Sequence, residues 1–143
     1  MKNIILIAII IFPFYSCEKE NNDMEPGTEY AYHAHIKSPG SEVKNLNDKI
    51  HINVLFESHS GEIVHNIKIE IRDKEDVNNV AYLHEEHVHE EISYDFHEDL
   101  VLSAENGFKG STDWIMEASV WSHDAEEDDS LVAEEIEFHI HPN

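Results

Sequence analysis

Residues 50–72 read IHINVLFESHSGEIVHNIKIEIR, and this stretch decides the fold class. Apolar and polar residues alternate over residues 50–56 and again over residues 63–71, on either side of the turn Ser58-His59-Ser60-Gly61. A period of two places successive side chains on opposite faces of a β-strand. The stretch therefore predicts two half-buried strands that are joined by a turn.

The same alternation recurs over most of the chain. Further short runs cover residues 30–36, 80–84, 92–96, 114–120 and 136–140, and residues 100–106 could form one helical turn. Seven short strands, separated by polar or Gly/Pro-containing turns, predict an all-β immunoglobulin-like β-sandwich of two packed sheets. The Cys–Trp–Cys marks of antibody domains are absent, so the prediction concerns the architecture alone. A β-barrel is the main alternative.

The N-terminus differs from the rest of the chain. Lys2 precedes an apolar run over residues 4–12, and Ser16 stands directly before Cys17, the single cysteine of the sequence. An apolar run of this length is too short to span a bilayer, which needs about 20 helical residues, and its flanks are typical of a secretory signal peptide. We expect a signal peptide over residues 1–16, a lipid-anchored tether over 17–28 and one domain over 29–143.

The residues around Cys17 resemble a bacterial lipobox, in which a small residue precedes a cysteine that receives a lipid. Phe14 and Tyr15 are bulkier than the usual residues of that pattern, as in lipoproteins of the Bacteroidetes. The resemblance implies lipidation at Cys17 and a membrane anchor that faces the periplasm or the cell surface, as in an outer-membrane lipoprotein. The acidic stretch over residues 18–23 is similar to the export tags of surface lipoproteins.

The domain itself resembles bacterial Ig-like repeats. The resemblance rests on Pro39-Gly40, the strands around residues 50–56 and 63–71 with Gly61 between them, the His/Glu-rich residues 84–91, the strand at 114–120 and His123-Asp124. More narrowly, the chain is similar to a family of His-rich Bacteroidetes lipoproteins known as a domain of unknown function. This resemblance covers most of residues 30–141 and implies a fold and a location, but no activity.

The net charge of the chain argues against nucleic acid as a partner. The chain has 31 acidic and 9 basic residues, with a formal net charge of −22. Such a surface repels nucleic acid and attracts cations.

The sequence contains no Gly-x-Ser-x-Gly elbow, His-Glu-x-x-His pair or phosphate-binding glycine loop, so we expect no enzymatic activity.

Twelve histidines are the most distinctive chemical feature of the chain. They include three His-x-His triplets, at residues 33–35, 87–89 and 139–141. On a strand, residues i and i+2 share a face about 6.5–7 Å apart, so two imidazoles can converge on one ion. Neutral imidazole is a good ligand for zinc, copper or nickel.

The predicted sandwich would bring several histidines to one end of the domain. His59 and His65 lie in or beside the second loop, and His123 lies with Asp124 in the last one. The residues His84, His87 and His89 lie in the connection before the fifth long strand. We predict a transition-metal site for zinc or copper that is formed by His84, His87 and His89 and completed by His123 or His59.

Two alternatives need no metal. The histidines could be solvated surface residues of a structural or adhesive module that binds a protein or a glycan. They could also gain charge together below neutral pH, since the unperturbed pKa of histidine is near 6.5, and so promote association in acid.

The acidic run over residues 124–129 lacks the order of ligands found in the calcium-binding loop of an EF-hand, and a solvated loop is the favoured interpretation.

Overall fold

A computed structural model describes residues 32–59, 61–89, 92–122 and 132–143. These residues form eight strands and one short 3₁₀ turn. The elements are β1 (Tyr32–Ser38), β2 (Lys44–Asn45), β3 (Lys49–Ser58), β4 (Asn66–Asp73), β5 (Val80–His87), β6 (Ser93–Val101), the 3₁₀ turn (Ala104–Asn106), β7 (Thr112–Trp121) and β8 (Val132–His141). The predicted signal peptide, Cys17 and the tether lie outside the described residues.

The strands are arranged in two sheets. One sheet has the order β1-β3-β6, and the other has the order β2-β8-β7-β4-β5. Strand β2 pairs in parallel with β8, whereas every other pairing is antiparallel. The all-β sandwich predicted from the alternation is thus confirmed, and the short β2 brings the number of strands to eight.

The hydrophobic core lies between the two sheets and follows the predicted alternation. Every second residue of β3, β4 and β7 is buried, because a strand turns successive side chains to opposite faces. The fully buried large side chains are Ile52, Val54, Phe56, Ile67, Ile69, Ile71, Leu102, Phe108, Trp114, Met116, Phe138 and Ile140. Trp114 also donates its indole N–H to the carbonyl of Lys109 at 3.2 Å.

Hydrogen bonds between side chains join the two sheets where β5 faces β6. The hydroxyl of Tyr82 donates to Glu98 at 2.6 Å, and the hydroxyl of Tyr94 donates to Glu86 at 2.9 Å. The pKa of Tyr82 is raised, mainly by partial burial and secondly by the hydrogen bond to Glu98. These contacts connect the last strand of one sheet to the last strand of the other.

Two local predictions differ from the structure. Strand β6 continues to Val101, so the predicted helical turn is reduced to the 3₁₀ turn, which is capped by Gly107 with a positive φ of 90°. Strand β5 continues to His87, because Asn66 of β4 still pairs with it there. His84 and His87 therefore lie on a strand rather than in a connection. In the described part of the chain, no helix has the length and apolar character to cross a bilayer.

Candidate metal centre

One end of the sandwich gathers the connections that carry most of the predicted ligands. Asn66 at the start of β4 pairs with both His87 at the end of β5 and Trp121 at the end of β7. We call this the Asn66 end. The backbone N–H of Ser58, which ends β3, donates to the carbonyl of Ile92 at 2.9 Å. The predicted gathering of loops at one end is thus present among the described residues.

Hydrogen bonds hold the segment before β4 in place. The hydroxyl of Tyr32 donates to the carbonyl of Ile63 at 3.1 Å and contacts Glu62 at 3.2 Å. The backbone N–H of Val88 donates to the carbonyl of His65 at 2.6 Å. His65 is thereby positioned directly beside the end of β5.

Three histidines converge at the Asn66 end. His65, His87 and His89 each offer one ring nitrogen, and these three nitrogens all lie within 4.8 Å of one another. The ring centroids are 4.2 Å apart for His87 and His89, 5.6 Å for His65 and His87, and 5.8 Å for His65 and His89. We call this group the three-histidine site, and its arrangement is one that could hold a metal ion.

Local sequence explains how these rings meet. Val88 stands between His87 and His89 and is buried in the core with 6% exposure, so its two neighbours project away from the core. On the other side of the site, Val64 and Ile67 are both fully buried. Two residues rather than one separate them, so the strict alternation is interrupted at His65. Both histidine segments therefore direct imidazoles outward at the same place.

Asn66 orients one ring of the site. Its side-chain oxygen lies 2.7 Å from Nδ1 of His87, and its amide nitrogen donates to the carbonyl of Ser122 at 3.0 Å. Because the amide nitrogen is occupied as a donor, the oxygen accepts the Nδ1 proton of His87. The lone pair of His87 is then on Nε2, as a metal ligand requires. Such an outer contact to a ligating histidine is usual in metal sites.

The distances between the three ring nitrogens are close to those found around a bound zinc ion. Zinc–nitrogen bonds of about 2.0–2.1 Å in a tetrahedral site place two nitrogens roughly 3.3 Å apart. The rings of the three-histidine site would therefore close by at most about 1.5 Å around an ion. His87 and His89 are exposed and His65 is half-buried, so rotation of their side chains can supply this movement.

An acidic depression lies next to the three-histidine site. It has a volume of about 260 Å³ and is lined by Asn66, Ile67, Glu85, Glu86, His87 and Trp121. Tyr94 donates to the carboxylate of Glu86, and burial together with this carboxylate raises the pKa of Tyr94. The two glutamates add negative potential beside the imidazoles, which favours a bound cation.

The predicted ligands are distributed over several places. His87 and His89 belong to the three-histidine site, and the third ring comes from His65, which the sequence placed at this end but which was not in the predicted ligand set. His84 instead contacts Glu86 at 3.2 Å and packs against Phe96 with ring centroids 4.5 Å apart. His59 packs edge-on against His33 at 4.6 Å. His123 lies outside the described residues.

The other two His-x-His pairs lie on the outer faces of strands, as predicted from the burial of Ala34 and Ile140 between them. His33 and His35 stack with centroids 5.9 Å apart on β1. His139 and His141 are 5.0 Å apart on β8, and His139 contacts Asp113 at 2.6 Å. These pairs lie toward opposite ends of the sandwich, so they do not share one site.

Comparisons with known proteins identify no family. No family model and no curated protein matches the chain. Among solved structures, the chain is similar to a β-glucosidase from Listeria innocua in complex with glucose, with 11% identity and a TM-score of 0.43. That match covers 78% of this chain and 16% of the glucosidase chain, and it is too weak to bear on function.

Proposed function

We propose that this protein is a cell-envelope lipoprotein whose β-sandwich binds a divalent transition metal, zinc or copper, at the three-histidine site. The observation that carries the metal assignment is the convergence of His65 with His87 and His89 from two separate connections. A His-rich tract alone would be weak support, because it shows only that histidine is frequent and not that the rings meet. A group assembled by tertiary structure, with Asn66 behind one ligand, is stronger support.

Three imidazoles leave room for a further ligand in a tetrahedral site. We propose His123 for this position, since it follows Ser122, whose carbonyl accepts a hydrogen bond from Asn66. A water molecule would serve in its place. The formal net charge of −22 attracts cations to the protein and therefore supports metal binding.

A binding role is favoured over a catalytic one. Two of the three ligands are exposed, and the adjacent depression of about 260 Å³ is smaller than the roughly 300–1,000 Å³ of typical small-molecule sites. A hydrolytic zinc site keeps its reacting water on the metal but works best where bulk solvent is excluded and a substrate is enclosed. The exposed three-histidine site instead suits capture or storage of an ion.

The proposed location rests on the sequence of residues 1–17, which is typical of a lipoprotein leader. Lipid chains stabilise membrane attachment by about 0.8 kcal/mol per buried CH₂, so several chains on Cys17 would anchor the protein firmly. Expression with radiolabelled palmitate tests this part. We expect label in the membrane fraction for the natural chain and none for Cys17→Ala. Label on the alanine variant would contradict lipidation at this cysteine.

Metal binding is tested by titrating the full-length chain, purified in detergent, with zinc and copper against a competing chelator. Loss of an outer-contact residue costs about 10–100-fold in metal affinity, so we expect His65→Gln, His87→Gln and His89→Gln each to cost at least that much. His84→Gln is the matched control, because His84 lies on β5 with His87 but outside the group. Unchanged affinity in His65→Gln, combined with a loss in His84→Gln, would contradict the proposed ligand set.

A further inference from the structure

A second arrangement of imidazoles lies on the outer face of the three-stranded sheet. His51 of β3 pairs in register with Asp99 of β6, and Asn53 of β3 pairs with His97. His51 and His97 are therefore diagonal neighbours on one face, which lets long side chains meet across two antiparallel strands. Their ring centroids are 5.4 Å apart, and Nε2 of His51 lies 3.2 Å from Nδ1 of His97.

Each of these two rings has a carboxylate on its other nitrogen. Nδ1 of His51 lies 2.9 Å from Asp99, and Nε2 of His97 lies 3.3 Å from Asp95. The inner contact at 3.2 Å is a hydrogen bond, in which one ring nitrogen carries the shared proton and the other accepts it. When the outer nitrogens of both rings donate to the carboxylates, a divalent cation can replace this shared proton, release it to solvent and accept the lone pairs of both inner nitrogens.

A lysine contacts each aspartate as well. Lys49 lies 2.6 Å from Asp99, and Lys37 lies 3.2 Å from Asp95. Lys49 and Lys37 contact the carboxylates rather than the rings, so they do not occupy the point between the two imidazoles.

We propose that His51 and His97 form a second binding site for a divalent transition metal, with Asp99 and Asp95 as positioning residues. Two nitrogens on one tetrahedral zinc ion are roughly 3.3 Å apart, and the two here are already 3.2 Å apart. The carboxylate–histidine pair is the common outer contact of metal-bound imidazole. We call this the paired-histidine site.

The remaining ligands of this ion would come from solvent. The side chains of His51 and His97 are 51% and 47% exposed, so water can fill two coordination positions. A site with two protein ligands binds less tightly than one with three. We therefore expect at least ten-fold weaker affinity here than at the three-histidine site, and binding that is independent of it, because the two sites lie on different sheets.

Among the described residues, the His-x-His pairs on β1 and β8 lack this combination. His139 has Asp113 on Nδ1, but the ring of His141 is inclined to it by 75°. The rings of His33 and His35 are parallel within 4° at 5.9 Å, a separation that stacks them side by side. Among the described residues, neither pair brings two ring nitrogens into hydrogen-bond contact, in contrast to His51 and His97.

The test uses the full-length chain carrying His65→Gln, His87→Gln and His89→Gln, so that binding at the first site is removed. Zinc titration of this variant should show one remaining binding event. Adding His51→Gln or His97→Gln should weaken that event by at least ten-fold, and Asp99→Asn should weaken it about ten-fold. His139→Gln is the matched control, being a strand histidine bonded to an aspartate, and should change the affinity less than two-fold.

Imidazole ¹⁵N spectra of the natural chain provide a readout that needs no substitution. Zinc should shift Nε2 of His51 and Nδ1 of His97, the two inner nitrogens, much more than their outer nitrogens. Shifts that appear on other histidines alone would overturn the proposal, whether or not the three-histidine site binds. Residual zinc binding that is unaffected by His51→Gln and His97→Gln would overturn it as well.

Discussion

The side-chain oxygen of Asn66 accepts a hydrogen bond from Nδ1 of His87 at 2.7 Å. This contact joins the first residue of β4 to the last residue of β5. It fixes both the direction of the His87 ring and the nitrogen that carries its lone pair. Because the same Asn66 also holds the carbonyl of Ser122, one side chain links three of the segments that meet at the three-histidine site.

Removing this contact should weaken metal binding without unfolding the domain. We expect Asn66→Ala to lower zinc affinity about 10–100-fold, because the ligand ring loses its outer partner. Asn66→Asp keeps an acceptor oxygen and should retain affinity within a few-fold of the natural chain. Competition titration with a chelator measures both. Equal affinity in the natural chain and Asn66→Ala would show that the contact does not support the site.

Arg72 should stabilise the outer face of the five-stranded sheet. Its guanidinium donates to Glu117 at 2.9 Å and to Glu135 at 2.7 Å, across β4, β7 and β8. Arg72→Met leaves these carboxylates without their cation, and hydrogen bonds to charged groups contribute about 1.5–3 kcal/mol. We expect a loss of about 1–2 kcal/mol in the free energy of unfolding at pH 7, since the face is partly solvated.

The effect of Arg72→Met should depend on pH. Burial acts to raise the pKa of Glu117, but the hydrogen bond and charge of Arg72 outweigh it, and the pKa is lowered. A carboxyl whose pKa is lowered by folding contributes stability above its unfolded value, near 4.3, and loses it as the pH falls through the folded value. Urea unfolding should show the difference between the two chains shrinking below pH 4. A constant difference from pH 7 to pH 3 would contradict this.

Tyr82 should contribute to stability through its bond to Glu98, which joins the two sheets at 2.6 Å. Tyr82→Phe keeps the ring and removes the donor, so we expect a loss of about 1.5 kcal/mol at pH 7. Burial raises the pKa of Tyr82, and a raised pKa means that the contribution is complete below the unfolded value near 10 and is lost as the pH rises above it.

The measurement for Tyr82 is urea unfolding of both chains between pH 7 and pH 11. The difference should be steady to about pH 9 and decrease beyond pH 10. Tyr94→Phe is a parallel test that should follow the same pH course, because Tyr94 makes the corresponding bond to Glu86 at 2.9 Å and its pKa is raised for the same reasons. A Tyr82→Phe chain as stable as the natural one at every pH would remove this role.

Trp114 should be the most sensitive position of the core. It is fully buried and packs against Phe108 with ring centroids 4.8 Å apart. Trp114→Ala leaves a large cavity between the sheets, and such changes cost about 3–5 kcal/mol. Trp114→Phe keeps most of the volume and should cost clearly less. Denaturant unfolding followed by circular dichroism compares them, and an alanine variant as stable as the phenylalanine variant would contradict the core assignment.

The alternation of residues 50–56 and 63–71, repeated along the chain, determined the all-β class by itself, because a period of two turns one face of each strand toward a core. The choice between a sandwich and a barrel was left to the tertiary structure. It also placed His33, His35, His139 and His141 on outer faces, since Ala34 and Ile140 between them are core residues. The length of β5 was not visible in this way. β5 is the last strand of its sheet, and two residues break its alternation: Leu83 is apolar but exposed, and Glu86 is polar but pairs with the buried Ile67.

Tertiary structure alone decided which imidazoles meet. The sequence showed that His87 and His89 share a face, because that depends only on their spacing of two. It could not show that His65 would join them while His84 turned to Glu86 and Phe96, since this depends on the register of β4 against β5 and on the interrupted alternation between Val64 and Ile67. The meeting of His51 with His97, 46 residues apart, likewise follows from strand pairing, which local sequence does not encode.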